Sequence, residues 1–163
     1  MKYISIKVFL VVFVILLLAC SNSHTTKTMD EMPKDFNFSL DYSTYGKQKI
    51  DTFNGIIVKD LIKDGTIEAK ITLTQAEKKQ ILDEMVRINI MAVDKYEYQF
   101  SCMSEPPSYS KWHIQINGET QDISFCNSTK DVLELIKLQD FIHTIVSSRE
   151  EYQDLPEANG WYE

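Results

Sequence analysis

An uninterrupted apolar run from Val8 to Leu18 does most to constrain what this chain can fold into, because it removes the first part of the sequence from the folded domain. Lys2 and Lys7 precede the run, and Ala19 and Cys20 follow it. This order of positive charge, apolar segment and small residues is that of a secretory signal peptide. The run has 11 residues, whereas a helix needs about 20 to cross the bilayer core. The start of the chain therefore predicts export, with the folded domain lying downstream.

The end of this run is similar to a bacterial lipobox. In Leu17-Leu18-Ala19-Cys20 a cysteine follows a small residue at the point of cleavage. By that resemblance the Cys20 thiol receives a diacylglycerol, residues 1–19 are removed, and the bilayer becomes a partner through two or more acyl chains, which hold a protein durably. We expect a lipid-anchored protein on the extracytoplasmic side of the cell membrane. The alternatives are a cleaved secretory peptide with an incidental cysteine and a short uncleaved anchor.

The remaining sequence is acidic. The formal net charge is −7 at pH 7, and loss of the two leader lysines takes it to −9 for the 144 residues from Cys20 to Glu163. Nucleic-acid binding depends on neutralising phosphates with Lys and Arg, so no nucleic-acid partner is expected. The arginines are two, Arg87 and Arg149, which leaves few bidentate clamps for phosphate or carboxylate. The length fits one domain, and we expect a monomer.

Two cysteines remain once Cys20 carries lipid. Outside the cytosol, Cys102 and Cys126 are expected to form a disulfide. Their loop encloses 23 residues, and closing it contributes about 3 kcal/mol in the chain-entropy model. The alternatives are two free, partly buried thiols and a metal site built with His113. The metal site lacks the usual Cys-X₂₋₄-Cys spacing, so we predict neither a metal nor a cofactor.

The first strand follows a polar tether. Residues 20–35 are polar without periodicity, which is typical of a flexible tether. Four apolar residues then alternate with polar ones, which predicts a half-buried strand; they are Phe36, Phe38, Leu40 and Tyr42.

A longer extended stretch runs from Lys49 to Ile62. Phe53, Ile56 and Val58 are its predicted core residues, and Asn54-Gly55 interrupts it as either a bulge or a turn that divides it in two. A third one-sided strand follows the turn at residues 63–65, with alternating apolar residues at Ile67, Ala69, Ile71 and Leu73.

Two helices are predicted from capping signals and apolar periodicity. Thr74 and Glu77 have the spacing of a capping box, and Ser128 to Asp131 open the second helix. The predicted core face of the first helix comprises Ala76, Ile81, Leu82, Met85 and Ile88. The second helix is apolar over more than half its circumference, at Val132, Leu133, Leu135, Ile136, Leu138, Phe141, Ile142, Ile145 and Val146.

Asn117-Gly118 predicts a hairpin between these helices. A two-residue loop pairs Trp112 with Ile123, whereas a four-residue loop pairs Trp112 with Phe125. Both registers place the same residues on the core face. They also place His113 and Cys126 on the opposite face.

The order of elements is thus β-β-β-α-β-β-α. We predict a single α+β domain over residues 36–163, with an antiparallel sheet of about five strands and two helices packed on one face. The extended C-terminal tail either docks back through Leu155 and Trp161 or stays loose.

Several short segments carry a family resemblance. They are Asp35-Phe36-Asn37-Phe38-Ser39-Leu40, Asp64-Gly65-Thr66, Leu73-Thr74, and Glu150-Glu151-Tyr152 leading to Leu155-Pro156-Glu157-Ala158. With the strand, hairpin and helix between them, they resemble small lipoproteins of Bacillus-like Gram-positive bacteria over most of the mature chain. The resemblance implies a place in the cell envelope. It brings no assigned activity, and it does not require a cysteine at position 126.

Motifs of known chemistry are missing from the sequence. It has no Gly-rich phosphate loop, no Gly-x-Ser-x-Gly elbow and no His-Glu-x-x-His. His113 lies on a predicted strand, and His143 lies beside the apolar stripe of the last helix, where packing or a C-terminal dipole interaction is the ordinary role. A cysteine–histidine pair conflicts with the predicted disulfide, because an oxidised cysteine is not a nucleophile. We therefore predict no catalytic residue.

The stretch from Tyr96 to Tyr109 is the best candidate for a working surface. Its tyrosines supply large contact area at little entropic cost. We predict that an envelope protein binds a surface formed by Tyr96, Tyr98, Phe100, Tyr109 and His113. The alternative is that these aromatics close one end of the core. Two functions stay open: a non-enzymatic binding or accessory module, and a small envelope hydrolase that uses carboxylates not identified from the sequence.

Overall fold

A computed structural model describes residues 31–93, 102–127 and 132–163. Cys20, Tyr96, Tyr98, Phe100 and the predicted helix start at residues 128–131 lie outside the described residues. The described elements are β1 (Asn37–Tyr42), β2 (Gln48–Asp51), β3 (Ile56–Ile62), β4 (Gly65–Lys70), α1 (Gln75–Arg87), a 3₁₀ turn (Ile90–Ala92), β5 (Tyr109–Ile116), β6 (Glu119–Cys126), α2 (Leu133–Ser147) and α3 (Glu150–Gln153).

The strands form one antiparallel sheet in the order β4-β3-β2-β1-β5-β6. The predicted α+β class, with two main helices, is confirmed. The sheet has six strands rather than about five, because residues 52–55 form a turn that divides the stretch from Lys49 to Ile62. The Asp51 carboxylate stabilises this turn by accepting hydrogen bonds from the Phe53 and Asn54 amides at 3.0 and 3.2 Å. Since no helix among the described residues is both long and apolar enough, none of them qualifies as a membrane span.

The turn also changes which residues of this stretch face the core. The predicted core residues were wrong, because Phe53 is 40% exposed and Ile56 and Val58 are only partly buried. Ile50 and Ile57 are buried instead and lie opposite each other in the ladder. A turn placed between them shifts the side-chain alternation, and a shift of one residue moves every side chain of a strand to the other face.

The β5–β6 hairpin resolves the two predicted registers. Trp112 pairs with Ile123, so the loop is the two-residue Asn117-Gly118. Both loop residues have positive φ, at 53° and 78°, as a tight hairpin turn of matching twist requires.

Two residues before Phe36 contact the folded domain. The Asp35 carboxylate accepts hydrogen bonds from the amides of Asn117 and Gly118, and Met32 packs against the core. The hydrogen bond from Gly118 is the main reason why the pKa of Asp35 lies below its usual value. Asp35 and Met32 therefore connect the end of the predicted tether to the hairpin loop and to the core.

The core lies between one face of the sheet, called here the inner face, and the two main helices. Its fully buried side chains are Phe36, Phe38, Phe125, Leu40, Ile50, Ile81, Leu82, Met85, Ile90, Ile114, Ile123 and Ile142. The capping box between Thr74 and Glu77 is present at the start of α1. In α2 the prediction was wrong for Leu133, which is 56% exposed, since the apolar circumference is wider than the face that the sheet covers.

Arg87 and Arg149 each form an ion pair that links α1 to α2. Arg87, at the end of α1, donates to Glu134 in the first turn of α2 at 3.1 Å. Arg149, just beyond α2, donates to both carboxylate oxygens of Glu77 at 3.1 and 2.9 Å. The helices therefore run antiparallel, with an ion pair at each end. Burial alone would raise the pKa of Glu77, but the hydrogen bonds from Thr74 and the charge of Arg149 lower it.

The C-terminal tail docks on the sheet, partly by other residues than predicted. Leu155 packs against the core, whereas Trp161 is 69% exposed. Asn159 forms a parallel bridge with Ile62, and the Tyr162 hydroxyl donates to the Asp60 carboxylate. Apart from Leu155, these tail contacts are polar and depend on residues that apolar patterning does not single out.

Candidate functional site

The face of the sheet that points away from the helices is called here the outer face. It carries the alternate residues of each strand, which are mostly polar or charged. In the middle of it, Ile56 and Val58 are partly buried among charged neighbours, and Lys49 forms an ion pair with Asp41 at 3.1 Å. An antiparallel sheet with one solvated face has this alternation.

His113 lies on the outer face, as predicted, beside an aromatic ring and a carboxylate. Its Nδ1 is 2.7 Å from Oδ1 of Asp122, its cross-strand partner on β6. The imidazole packs against Phe53, with ring centroids 5.5 Å apart. The sequence pattern predicted that Phe53 lies in the core, so its contact with His113 on the outer face was not predicted.

Ser39 is the cross-strand partner of His113 on the other side. Ser39, His113 and Asp122 therefore occupy one row across β1, β5 and β6, and they are the residue types of a serine hydrolase. Such an enzyme requires a serine hydroxyl bonded to the imidazole and donors for an oxyanion. Within the described part of the chain, His113 is bonded to Asp122, and no hydrogen bond joins it to Ser39. The row shares composition with a triad but lacks its central contact.

Tyr109 also lies on the outer face, four residues from His113 along β5. Its hydroxyl donates to the Tyr45 carbonyl at 2.7 Å, and its ring covers Gly46. A Cβ at position 46 would lie 2.5 Å from Cε2 of Tyr109, and Gly46 has φ of +63°, so this position favours glycine on both counts. Close packing here fixes the orientation of the Tyr109 ring.

Tyr109 belongs to a group of three tyrosines at this end of the sheet, called here the tyrosine cluster: Tyr45, Tyr109 and Tyr162. The rings of Tyr45 and Tyr162 pack edge to face at 5.6 Å. The Lys47 ammonium lies 4.8 Å from the Tyr162 centroid, and that of Lys111 lies 5.2 Å from the Tyr109 centroid. Burial and the bond to the Asp60 carboxylate raise the pKa of Tyr162. The cluster presents aromatic rings flanked by lysines.

The Cys102 and Cys126 sulfurs lie 2.00 Å apart, at the distance of a disulfide bond. Cys126 is the cross-strand partner of Tyr109, so this contact holds the segment before β5 against the end of the sheet. The Asn127 amide also donates to the Ser108 carbonyl at 3.1 Å. The contact between the two cysteines and this backbone hydrogen bond therefore both hold the backbone next to the tyrosine cluster.

His143, on α2, is partly buried on the inner side of the sheet. Its Nδ1 is 2.7 Å from the Tyr42 hydroxyl, and its ring packs against Tyr152. Burial lowers the pKa of His143, and the nearby Asp140 carboxylate opposes this shift. The packing role predicted as one ordinary outcome for this residue fits these contacts.

A small crevice lies between the turn at residues 52–55 and the start of α1. Its volume is about 80 Å³, well below the roughly 300 Å³ at which ligand pockets begin. Lys78 lines it and donates to the Asn37 side chain at 2.9 Å, and burial lowers the pKa of Lys78. In the part of the chain that the structure describes, no three His, Cys, Asp or Glu residues are grouped closely enough to hold a metal ion.

The described residues therefore bring together part of the predicted surface and add to it. Tyr109 and His113 share the outer face, about 13 Å apart at 3.3 Å per residue. Tyr45 and Phe53, from two turns, and Tyr162, from the tail, lie on the same face. No family model, curated protein or solved structure matches this chain.

Proposed function

We propose that this chain is a lipid-anchored extracytoplasmic protein of the cell envelope. The order of lysines, apolar run and Leu-Leu-Ala-Cys before position 21 supports the anchor at Cys20. The resemblance to small lipoproteins of Bacillus-like bacteria supports the same location. A disulfide between Cys102 and Cys126 suits an oxidising compartment.

Its proposed role is that of a non-enzymatic binding or accessory module, with an envelope protein as the partner. The observation that carries this proposal is the outer face, on which exposed aromatic side chains and fixed charges lie opposite the helix-covered core. Tyr45 and Phe53 are each 40% exposed there. Aromatic residues are enriched in the cores of protein interfaces, and charged residues surround them.

A serine hydrolase of the envelope is the second candidate, because Ser39, His113 and Asp122 lie in one row, although among the described residues no hydrogen bond joins Ser39 to His113. A fluorophosphonate probe tests it directly, because such probes label only an activated serine. A hydrolase predicts labelling that Ser39→Ala abolishes. The binding module predicts no labelling of the folded protein.

Site-specific crosslinking tests the binding role. A photoreactive phenylalanine analogue is placed at Phe53 or at His113, and at Gln80 on the exposed side of α1 as the matched control. Irradiation of intact membranes is expected to give a discrete crosslinked species from positions 53 and 113 and none from position 80. Equal yields from all three positions, or none from the outer face, would contradict the proposal.

A further inference from the structure

The C-terminal tail occupies a gap in the sheet beside β3. Strand β2 pairs with β3 only as far as Val58, so the next residues of β3 have no β2 partner on that side. Asn159 fills this place: its amide donates to the Leu61 carbonyl at 3.1 Å, and its carbonyl accepts from the Lys63 amide at 3.2 Å. The tail thus adds one isolated parallel bridge to the sheet.

A buried carboxylate lies on the outer side of this gap. Asp60 is 5% exposed; one of its oxygens accepts from the Ile62 amide at 2.9 Å, and the other accepts from the Tyr162 hydroxyl. The ladder between β3 and β4 is shifted between Asp60 and Ile62. At this irregularity the Asp60 carboxylate accepts a hydrogen bond from an amide of its own strand and lies next to the tail.

A buried amine lies on the inner side. The Lys59 ammonium donates to the Leu155 carbonyl at 3.3 Å and lies 3.7 Å from the Glu157 carboxylate. It also lies 5.0 Å from the centroid of Tyr152. The tail therefore contacts the Asp60 carboxylate on the outer side of β3 and the Lys59 ammonium on its inner side. The gap with Lys59, Asp60 and the Leu61–Lys63 backbone is called here the tail slot.

Little of the tail is buried. Residues 156–161 and 163 are all exposed, and only Leu155 and Tyr162 are partly buried. Ile62, in the middle of the slot, has φ of +64°, which is a strained conformation for a β-branched residue. Elements with few buried contacts open locally at low cost, and backbone strain is concentrated at binding sites.

We propose that the tail slot is a docking site for an extended peptide, and that the chain's own C-terminus is its resident occupant. The ligand pairs its backbone with Leu61 and Lys63 and places a tyrosine three residues later against Asp60. Main-chain pairing supplies affinity and the phenol supplies selectivity, as in other cases of β-strand addition. This inference does not rest on the proposed binding role of the outer face or on the lipid anchor, although Tyr162 belongs both to the tyrosine cluster and to the tail.

Peptide binding in trans tests the proposal. A protease site is inserted between Glu157 and Ala158 of the detergent-solubilised full chain, so that the chain folds with its tail and is cut afterwards. A labelled peptide of residues 158–163 is then added, and its anisotropy is measured. We expect saturable binding to the cut chain and at least tenfold weaker binding to the uncut chain, in which the tail is at high effective concentration.

Two changed peptides test selectivity. Tyr162→Phe is expected to weaken binding at least tenfold, because it removes the donor to a buried carboxylate. Glu163→Gln, at an exposed position, is the control and is expected to bind within twofold of the original. A cut chain that keeps its circular dichroism spectrum but does not bind the peptide, or that binds the Tyr162→Phe peptide equally well, overturns the proposal.

A second variant covers the case in which cutting unfolds the chain. The intact chain carrying Tyr162→Phe keeps its tail but holds it less firmly. It is expected to bind the original peptide at least tenfold more tightly than the unaltered chain does, and equal binding overturns the proposal. A tail-exchanged dimer of the uncut chain, detected by light scattering, would overturn the assignment of the slot to a separate peptide.

Discussion

Removal of the cysteine pair by Cys102→Ala with Cys126→Ala is expected to lower the free energy of unfolding by about 3 kcal/mol. The two residues are 24 positions apart, and the chain-entropy model gives this value for a loop of that length. Alanine is chosen because Cys126 is only 7% exposed, and a serine hydroxyl there would add the cost of a buried polar group. A domain of this size is typically stable by 5–15 kcal/mol, so the variant is expected to fold.

Urea denaturation followed by far-ultraviolet circular dichroism measures this loss. With a urea dependence of roughly 1.5–2 kcal/mol per molar, the midpoint is expected to fall by roughly 2 M. Reduction of the unaltered protein should produce a similar fall, which separates the bond from the side-chain change. A fall below 0.5 M in both experiments, or two reactive thiols in protein isolated from the cell envelope, would refute the reasoning.

Three further predictions concern the ion pair between Arg149 and Glu77, the core, and the partly buried His143. Arg149→Met is expected to cost about 1–3 kcal/mol in urea denaturation, since the paired side chains of Arg149 and Glu77 are only 18% and 23% exposed; no measurable loss would contradict the clamp. Phe38→Ala, at a fully buried position, is expected to cost about 3–5 kcal/mol in the same assay, and a loss below 1 kcal/mol would contradict its place in the core. Because burial lowers the pKa of His143, the folded state binds its proton less readily than the unfolded state. The contribution of His143 to stability is therefore complete above about pH 6.5 and is lost as the pH falls. In a plot of melting temperature against pH between 5 and 8, His143→Gln is expected to flatten this part of the curve.

The fold follows from local patterns wherever the pattern is long and unambiguous. Alternation from Phe36 to Tyr42, the capping box at Thr74 and the Asn117-Gly118 dipeptide each predict the element that is present. The stretch from Lys49 to Ile62 was assigned the wrong core residues because its facing depends on where the turn falls. Periodicity alone does not place that turn, which Asp51 stabilises through its side chain.

The site follows from sequence less completely, because contacts distant in sequence build it. The alternation of β5 places Tyr109 and His113 on one face, and this part was predicted. Tyr45 and Tyr162 meet only because the tail folds back onto Asp60, over a separation of 102 residues. No periodic pattern or turn motif in the sequence predicts such a contact. The two arginines are a similar case, since composition alone does not reveal that both clamp the helices.

The mass of the amino-terminal tryptic peptide tests the lipid anchor most directly. Trypsin cleaves after Lys27, so the peptide of interest from the membrane fraction spans residues 20–27. We predict that it begins at Cys20 and carries the added mass of a thioether-linked diacylglycerol. An intact leader, or a chain recovered from the medium with an unmodified Cys20 thiol, would contradict the account.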